Sequence, residues 1–142
     1  MSIFPSDEWL GAFADLVNGS EEYRQAAEDW EGAIAFVFEA EPDRGVPEDV
    51  WAVLDLCHGS CRSARIVPRA EGERAPYVIR APYSRWKDVL RERLDPVKGM
   101  MQGKLKLQGD LPAIIRHVRA ANELVHLTTL VPTEFLDEVP SR

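Results

Sequence analysis

No apolar run in the chain approaches the ~20 residues that a membrane-spanning helix requires, which excludes an integral membrane segment of that kind. Positive charge is also in short supply. Lys and Arg number 17 against 24 Asp and Glu, for a formal net charge of −7. Phosphate recognition rests mainly on a basic surface, so nucleic acid is excluded as a partner. Constitutive attachment to anionic lipid surfaces, and stable membrane insertion with it, is excluded on the same grounds. There are only 2 cysteines, and the opening MSIFPSDEW lacks the basic and apolar regions of a secretory signal. Both thiols are therefore expected to be reduced, in a soluble cytoplasmic protein. The ending Pro140-Ser141-Arg142 does not match the peroxisomal S-K-L address. Signatures of catalysis are missing too: there is no P-loop, G-x-G-x-x-G, EF-hand loop or G-x-S-x-G elbow. The 3 histidines are scattered, and His117 and His126 are too far apart on one helix to share a side. Nothing repeats, and no linker divides the chain.

What remains is a composition suited to one packed domain. The 142 residues are 45% hydrophobic, and a chain of this length buries roughly two thirds of its unfolded surface. The expected core spans about residues 6–127, with a tail from 128 to 142. Ser6 suits a helix N-cap, and Trp9, Phe13, Leu16 and Val17 follow as one apolar stripe. After Asn18-Gly19, the residues Tyr23, Ala26, Ala27 and Trp30 make a second stripe at helical spacing. Ala33 to Ala40 is apolar on both faces, as in a strand covered on two sides. Val50 to Cys57 is similar, and His58-Gly59-Ser60 has the length of a hairpin connection to a strand from Cys61 to Val67. Arg62 and Arg65 interrupt that strand and put it near an edge. PRAEGERAP reads as a surface loop, and Tyr77 to Ala81 as a fourth strand of a meander. Ser84 is placed to cap a helix whose apolar face is Trp86, Val89, Leu90 and Leu94. A long helix after Asp110 carries Leu111, Ile114, Ile115, Val118, Ala121 and Val125 on one face. The tail beyond Thr128 offers one weak helical turn and is expected to fray.

The stretch Leu94 to Leu111, LDPVKGMMQGKLKLQGDL, organises the second half. Asp95-Pro96 starts a helix, because Asp can cap and Pro fits the first helical position. Val97, Met100 and Met101 share a face at i, i+3 and i+4. Gly103 stops the turn, and Lys104 to Gln108 alternates with period two as a half-buried fifth strand. Asp110 then caps the next helix.

Each chemical signal also has a plain structural explanation. Met100 and Met101 can be ordinary core filling or a soft wall that adapts to ligands. Lys98, Lys104 and Lys106 could meet a lipid headgroup, but an alternating strand presents a solvated face anyway. Cys57-His58-Gly59-Ser60-Cys61 could begin a zinc site. Its spacing is not C-x-x-C and no second Cys/His pair follows in sequence, so two strand-end thiols facing across a hairpin is the simpler reading. Asp55, inside an apolar strand, is either hydrogen-bonded within the sheet or turned to a wetted cavity.

LDPVKGMMQGKLKLQGDL closely resembles the signature of sterol carrier protein type 2 domains, and the order of elements is similar from Trp9 to about Leu127. The resemblance implies an α+β fold: a five-stranded mixed sheet covered by helices and enclosing an apolar tunnel. It also implies non-enzymatic binding, and transfer, of a lipid that is fatty-acyl or sterol-like. The ligand-binding set this suggests is Phe36, Phe38, Trp51, Trp86, Leu90, Met100, Met101, Leu111, Ile114, Ile115 and Val118. No catalytic residue, metal or cofactor is expected, and a homodimer stays open. Two alternatives remain. One is a structural or interaction module with a filled core and no ligand. The other is a thiol or zinc protein using Cys57, His58 and Cys61.

Overall fold

The computed structural model describes residues 1–138. In chain order they form β1 (Ser2–Phe4), α1 (Asp7–Asn18), α2 (Glu21–Ala26), β2 (Ile34–Glu39), β3 (Val50–Cys57), β4 (Ser60–Val67) and α3 (Arg69–Gly72). There follow β5 (Tyr77–Pro82), α4 (Tyr83–Leu90), α5 (Pro96–Met101), β6 (Lys106–Gln108), α6 (Leu111–Arg116), α7 (Val118–Thr128) and β7 (Thr133–Phe135). The main sheet has five strands in the order β4-β3-β2-β5-β6. β2 and β5 run parallel and the other neighbours antiparallel. The fold is therefore α+β on a five-stranded mixed sheet, as expected, with β4 at one edge.

Side-chain caps start four helices: Ser6, Asp95 and Asp110 where the sequence placed them, and Ser20 in addition. Ser6 accepts the Trp9 N–H at 3.1 Å and Ser20 the Tyr23 N–H at 3.0 Å. Asp95 accepts from Lys98 at 3.0 Å and Asp110 from Ala113 at 3.3 Å. Each satisfies a donor that the first helical turn leaves without a partner.

Four features differ from the sequence reading. The first four strands are not a meander, because the chain leaves edge strand β4, crosses the outer face and lays β5 parallel beside β2. A parallel neighbour needs a crossover, and PRAEGERAP supplies it through α3, which packs on β3. Secondly, Ser84 is not a cap: α4 begins at Tyr83, and the Ser84 N–H donates to the Glu41 carboxylate at 2.6 Å. Thirdly, the long last helix is broken. His117, at φ −112 and ψ 33, separates α6 from α7. Finally, the tail does not fray where it is described: β7 pairs in parallel with β1, and Phe135 is buried. The tail's residues 139–142 lie outside the described part.

The sheet divides the apolar residues into two clusters. Alternation sends Ile34, Phe38, Ala52, Leu54, Leu56, Ile79 and Ala81 to the inner face, under α1, α2, α4 and the last helices. Ala35, Val37, Trp51, Val67 and Val78 form a smaller cluster on the outer face. Gly72 of α3 lies flat on the Trp51 ring, where an added Cβ would collide with it. The inner face carries the candidate site.

Candidate functional site

Between the inner face and the helices lies a cavity of about 140 Å³. The sheet contributes Ile34, Phe36 and Phe38 from β2, Leu54 and Leu56 from β3, and Ile79 from β5. Helix α1 adds Trp9, Leu10 and Phe13, while α4 adds Trp86, Val89 and Leu90. Pro96 and Met100 of α5, Ile114 of α6, His117, and Ala120, Ala121, Leu124, Val125 and Thr128 of α7 complete the far wall, with Phe4, Tyr23 and Trp30 at its margins.

The wall is apolar even where its residues carry polar atoms. Trp86 donates its indole N–H to the Val37 carbonyl at 2.9 Å, inside the sheet. Its ring then stands edge-on to Phe36 and Phe38, with centroids 5.5 and 5.7 Å away. Trp30 donates to the Gly32 carbonyl at 2.9 Å and Trp9 to the Thr133 hydroxyl at 2.8 Å. Three indoles therefore spend their only donor on the protein and offer the cavity carbon. Nδ1 of His117 lies 2.8 Å from the Ala113 carbonyl, which can only accept, so that nitrogen holds the proton. Its ring meets Trp30 edge-on at 5.1 Å. Burial pushes the Tyr23 phenol up, keeping it neutral.

Of the residues singled out in the sequence, Phe36, Phe38, Trp86, Leu90, Met100 and Ile114 stand on this wall. Trp51 is on the opposite face of the sheet, under α3, with the Arg80 guanidinium 5.8 Å from its ring centroid. Met101 is 63% exposed: successive helical residues point about 100° apart, so Met100 turns inward and its neighbour outward. Ile115 and Val118 are 42% and 39% exposed: Ile115 directly follows the inward-facing Ile114 in α6, and the break at His117 takes Val118 off the stripe. Leu111 is half-buried and off the wall. Lys98, Lys104 and Lys106 are exposed and off it as well. The reading missed Phe4, Leu124 and Thr128 as wall residues, and it named His117 without placing it there. It saw the Trp9 and Phe13 stripe but took it only for helix packing.

The hairpin residues separate. Its turn is the two-residue His58-Gly59 pair, not three residues, with φ of 49° and 80°. Cys61 pairs with Leu56 and faces inward, whereas Cys57 pairs with Ser60 on the other face, so the thiols do not face each other. Burial pushes the Cys61 thiol up to about 11, leaving it a poor nucleophile. Asp55 turns away from the cavity and holds Arg62 through hydrogen bonds of 3.0 and 3.1 Å.

Beside the cavity lies a depression of about 290 Å³ lined by Arg91, Glu92, Thr129, Thr133 and Phe135, with Leu90 and Thr128 bordering both spaces. Among the described residues, no helix is long and apolar enough to cross a membrane.

Comparison with known proteins places this architecture. The model of the SCP-2 sterol transfer family matches residues 13–119. A crystal structure of sterol carrier protein 2 is 41% identical, with a TM-score of 0.81, covering 89% of this chain and 97% of that one. The solution structure of a conserved hypothetical protein from Thermus thermophilus is 40% identical, also at 0.81, covering 91% and 90%. Sterol carrier protein 2 from Yarrowia lipolytica, in its apo form, shares the fold at a TM-score of 0.59 and 12% identity, covering 88% and 92%. No curated protein sequence matches the chain.

Proposed function

The chain belongs to the SCP-2 sterol transfer family, and from that premise we propose that it holds one lipid, fatty-acyl or sterol-like, in the inner cavity and carries it without chemistry. The observation that supports this most is the cavity itself. One water needs ~10–15 Å³, and about 140 Å³ of apolar space between sheet and helices is far more than a filled core leaves. With the indole N–H groups committed elsewhere, the wall rewards alkyl burial, at ~0.8 kcal/mol per methylene. The wall is almost wholly carbon, so a polar headgroup belongs at the rim. The depression past Leu90 and Thr128, bordered by Arg91, is the port we assign to it. The alternative of a thiol enzyme has little support, since the Cys61 thiol is buried and held protonated.

Displacement of a fluorescent fatty acid, together with native mass spectrometry of the purified protein, tests the proposal. One displaceable ligand per chain is the expected result. A protein that carries no lipid and binds no probe has the filled-core role instead.

A further inference from the structure

Outside the cavity, at the end of the sheet, three different metal-binding groups converge. The Cys57 thiol, the His58 imidazole and the Glu31 carboxylate each place a donor atom within 4.8 Å of the other two. The backbone fixes this meeting. Glu31 and Cys57 pair across an antiparallel bridge, Gly32 N–H donates to the Leu56 carbonyl at 3.1 Å, and His58 N–H donates to the Trp30 carbonyl at 2.7 Å. His58 itself sits in the left-handed region, φ 49, at the tip of a hairpin. Gly59 beside it is pressed on the backbone of Arg24, with no room for a Cβ. The imidazole is oriented as a metal ligand needs. Its Nδ1 is 2.8 Å from the Glu28 carbonyl, so that nitrogen is the donor and Nε2 is directed at Glu31, 3.3 Å away. A backbone carbonyl on the far ring nitrogen is the usual support of a metal-bound histidine.

The geometry points to a zinc-class divalent cation site formed by Glu31 Oε, Cys57 Sγ and His58 Nε2, with water in a fourth position. Tetrahedral zinc with these donors sets them roughly 3.4–3.6 Å apart. Closing by about 1 Å is within the rotamer freedom of two exposed side chains. One thiolate, one imidazole and one carboxylate suit zinc better than calcium or magnesium, which take oxygen. On binding, the thiol proton of Cys57 and any proton shared between His58 and Glu31 pass to solvent, and the ion takes their place. Cys61, the partner that sequence spacing suggests, is on the other face of the hairpin and contributes nothing. The neighbours of the ligands matter as well. Trp30 and Leu56 both line the cavity, so a bound ion staples two segments of its wall from outside.

Titration of the intact protein with cobalt(II), then zinc, tests the site. A thiolate-to-cobalt charge-transfer band saturating at one equivalent, and lost on adding zinc, is expected. Cys57→Ser should abolish the band. Glu31→Gln and His58→Asn, the latter chosen because Asn tolerates a positive φ, should each weaken zinc binding about tenfold or more. Cys61→Ala and His126→Gln should leave the band intact. Absence of the band in the parent protein overturns the proposal. So does its survival in Cys57→Ser, its loss in Cys61→Ala, or unchanged affinity in both Glu31→Gln and His58→Asn.

Discussion

At the scale of single residues, the character of the cavity depends on where polar atoms go rather than on which residue types are present. Trp9, Trp30 and Trp86 would each bring a donor to a lipid site, yet each turns its N–H into the protein. A neutral donor left in an apolar cavity costs about 1–3 kcal/mol, so this arrangement is what allows aromatic walls to stay dry. Ile114 lies on the wall and Met101 does not. Ile114→Trp fills space that a ligand needs. Displacing two methylenes costs roughly 1.6 kcal/mol, so the fluorescent fatty acid should bind about fifteenfold more weakly. Met101→Ala should change affinity by less than about twofold, as an exposed position does. Equal effects of the two substitutions would mean that the probe binds elsewhere. Gly72 gives a prediction about stability alone. A methyl group there must push the Trp51 ring aside, so Gly72→Ala should cost about 1–3 kcal/mol in urea unfolding. Lipid affinity should hold, because Trp51 faces away from the cavity.

At the scale of elements, the two ends of the described chain act together. β1 and β7 pair, Phe4 reaches the cavity margin, and the turn after β7 is tied to α4. Asp137 accepts from Lys87 at 3.0 Å, from the Tyr83 hydroxyl at 2.9 Å and from Arg44 at 3.0 Å. Burial works against its charge, but Lys87, Tyr83 and Arg44 outweigh burial and hold the Asp137 carboxyl below the usual carboxylate range. A carboxyl whose folded pKa lies below its unfolded value adds stability above the unfolded value and loses it as pH falls through the folded one. The tie is therefore complete at neutral pH and released in acid. Asp137→Asn should be about 1–3 kcal/mol less stable than the parent at neutral pH, and the difference should shrink on acidification. A gap that persists in acid would assign the loss to packing instead of charge. None of this was legible in the sequence, where TEF is too short for a period and its partner strand is 131 positions away in register, Ser2 with Thr133. The same limit explains the other misses. All five sheet strands could be read locally, from apolar runs or from alternation, but the parallel placement of β5 depends on a crossover that no local pattern encodes. Phe36, Phe38 and Trp86 were named as wall residues through the family resemblance, and they do line the cavity. Trp51 was named with them although it lies on the other face, because a strand apolar on both sides does not say which face meets the cavity. Val118 was lost to a helix break at His117 that lacks any Gly or Pro signal.

At the scale of the whole molecule, the proposed lipid has to be accommodated in a cavity of about 140 Å³. Engineered apolar cavities of that size, about 150 Å³, hold a benzene-sized group of about six carbons, and pockets for larger ligands run to roughly 300–1,000 Å³. Two features let this one grow. Met100 is unbranched and adapts its shape, and Leu90 and Thr128 stand between the cavity and the neighbouring depression. A series of saturated fatty acids of increasing length turns this into a measurement. While carbons enter the existing space, each methylene should add ~0.8 kcal/mol, about fourfold in affinity. Beyond about six carbons the gain should continue with a smaller slope, because chain burial then has to part Leu90 from Thr128. Ligand binding stabilises the folded state by mass action, so a thermal-shift series at fixed excess ligand should trace the same curve. A plateau at six carbons would fix the cavity as rigid and restrict the ligand to short or branched apolar groups. Affinity independent of length would place the ligand outside the cavity and remove the basis for lipid carriage.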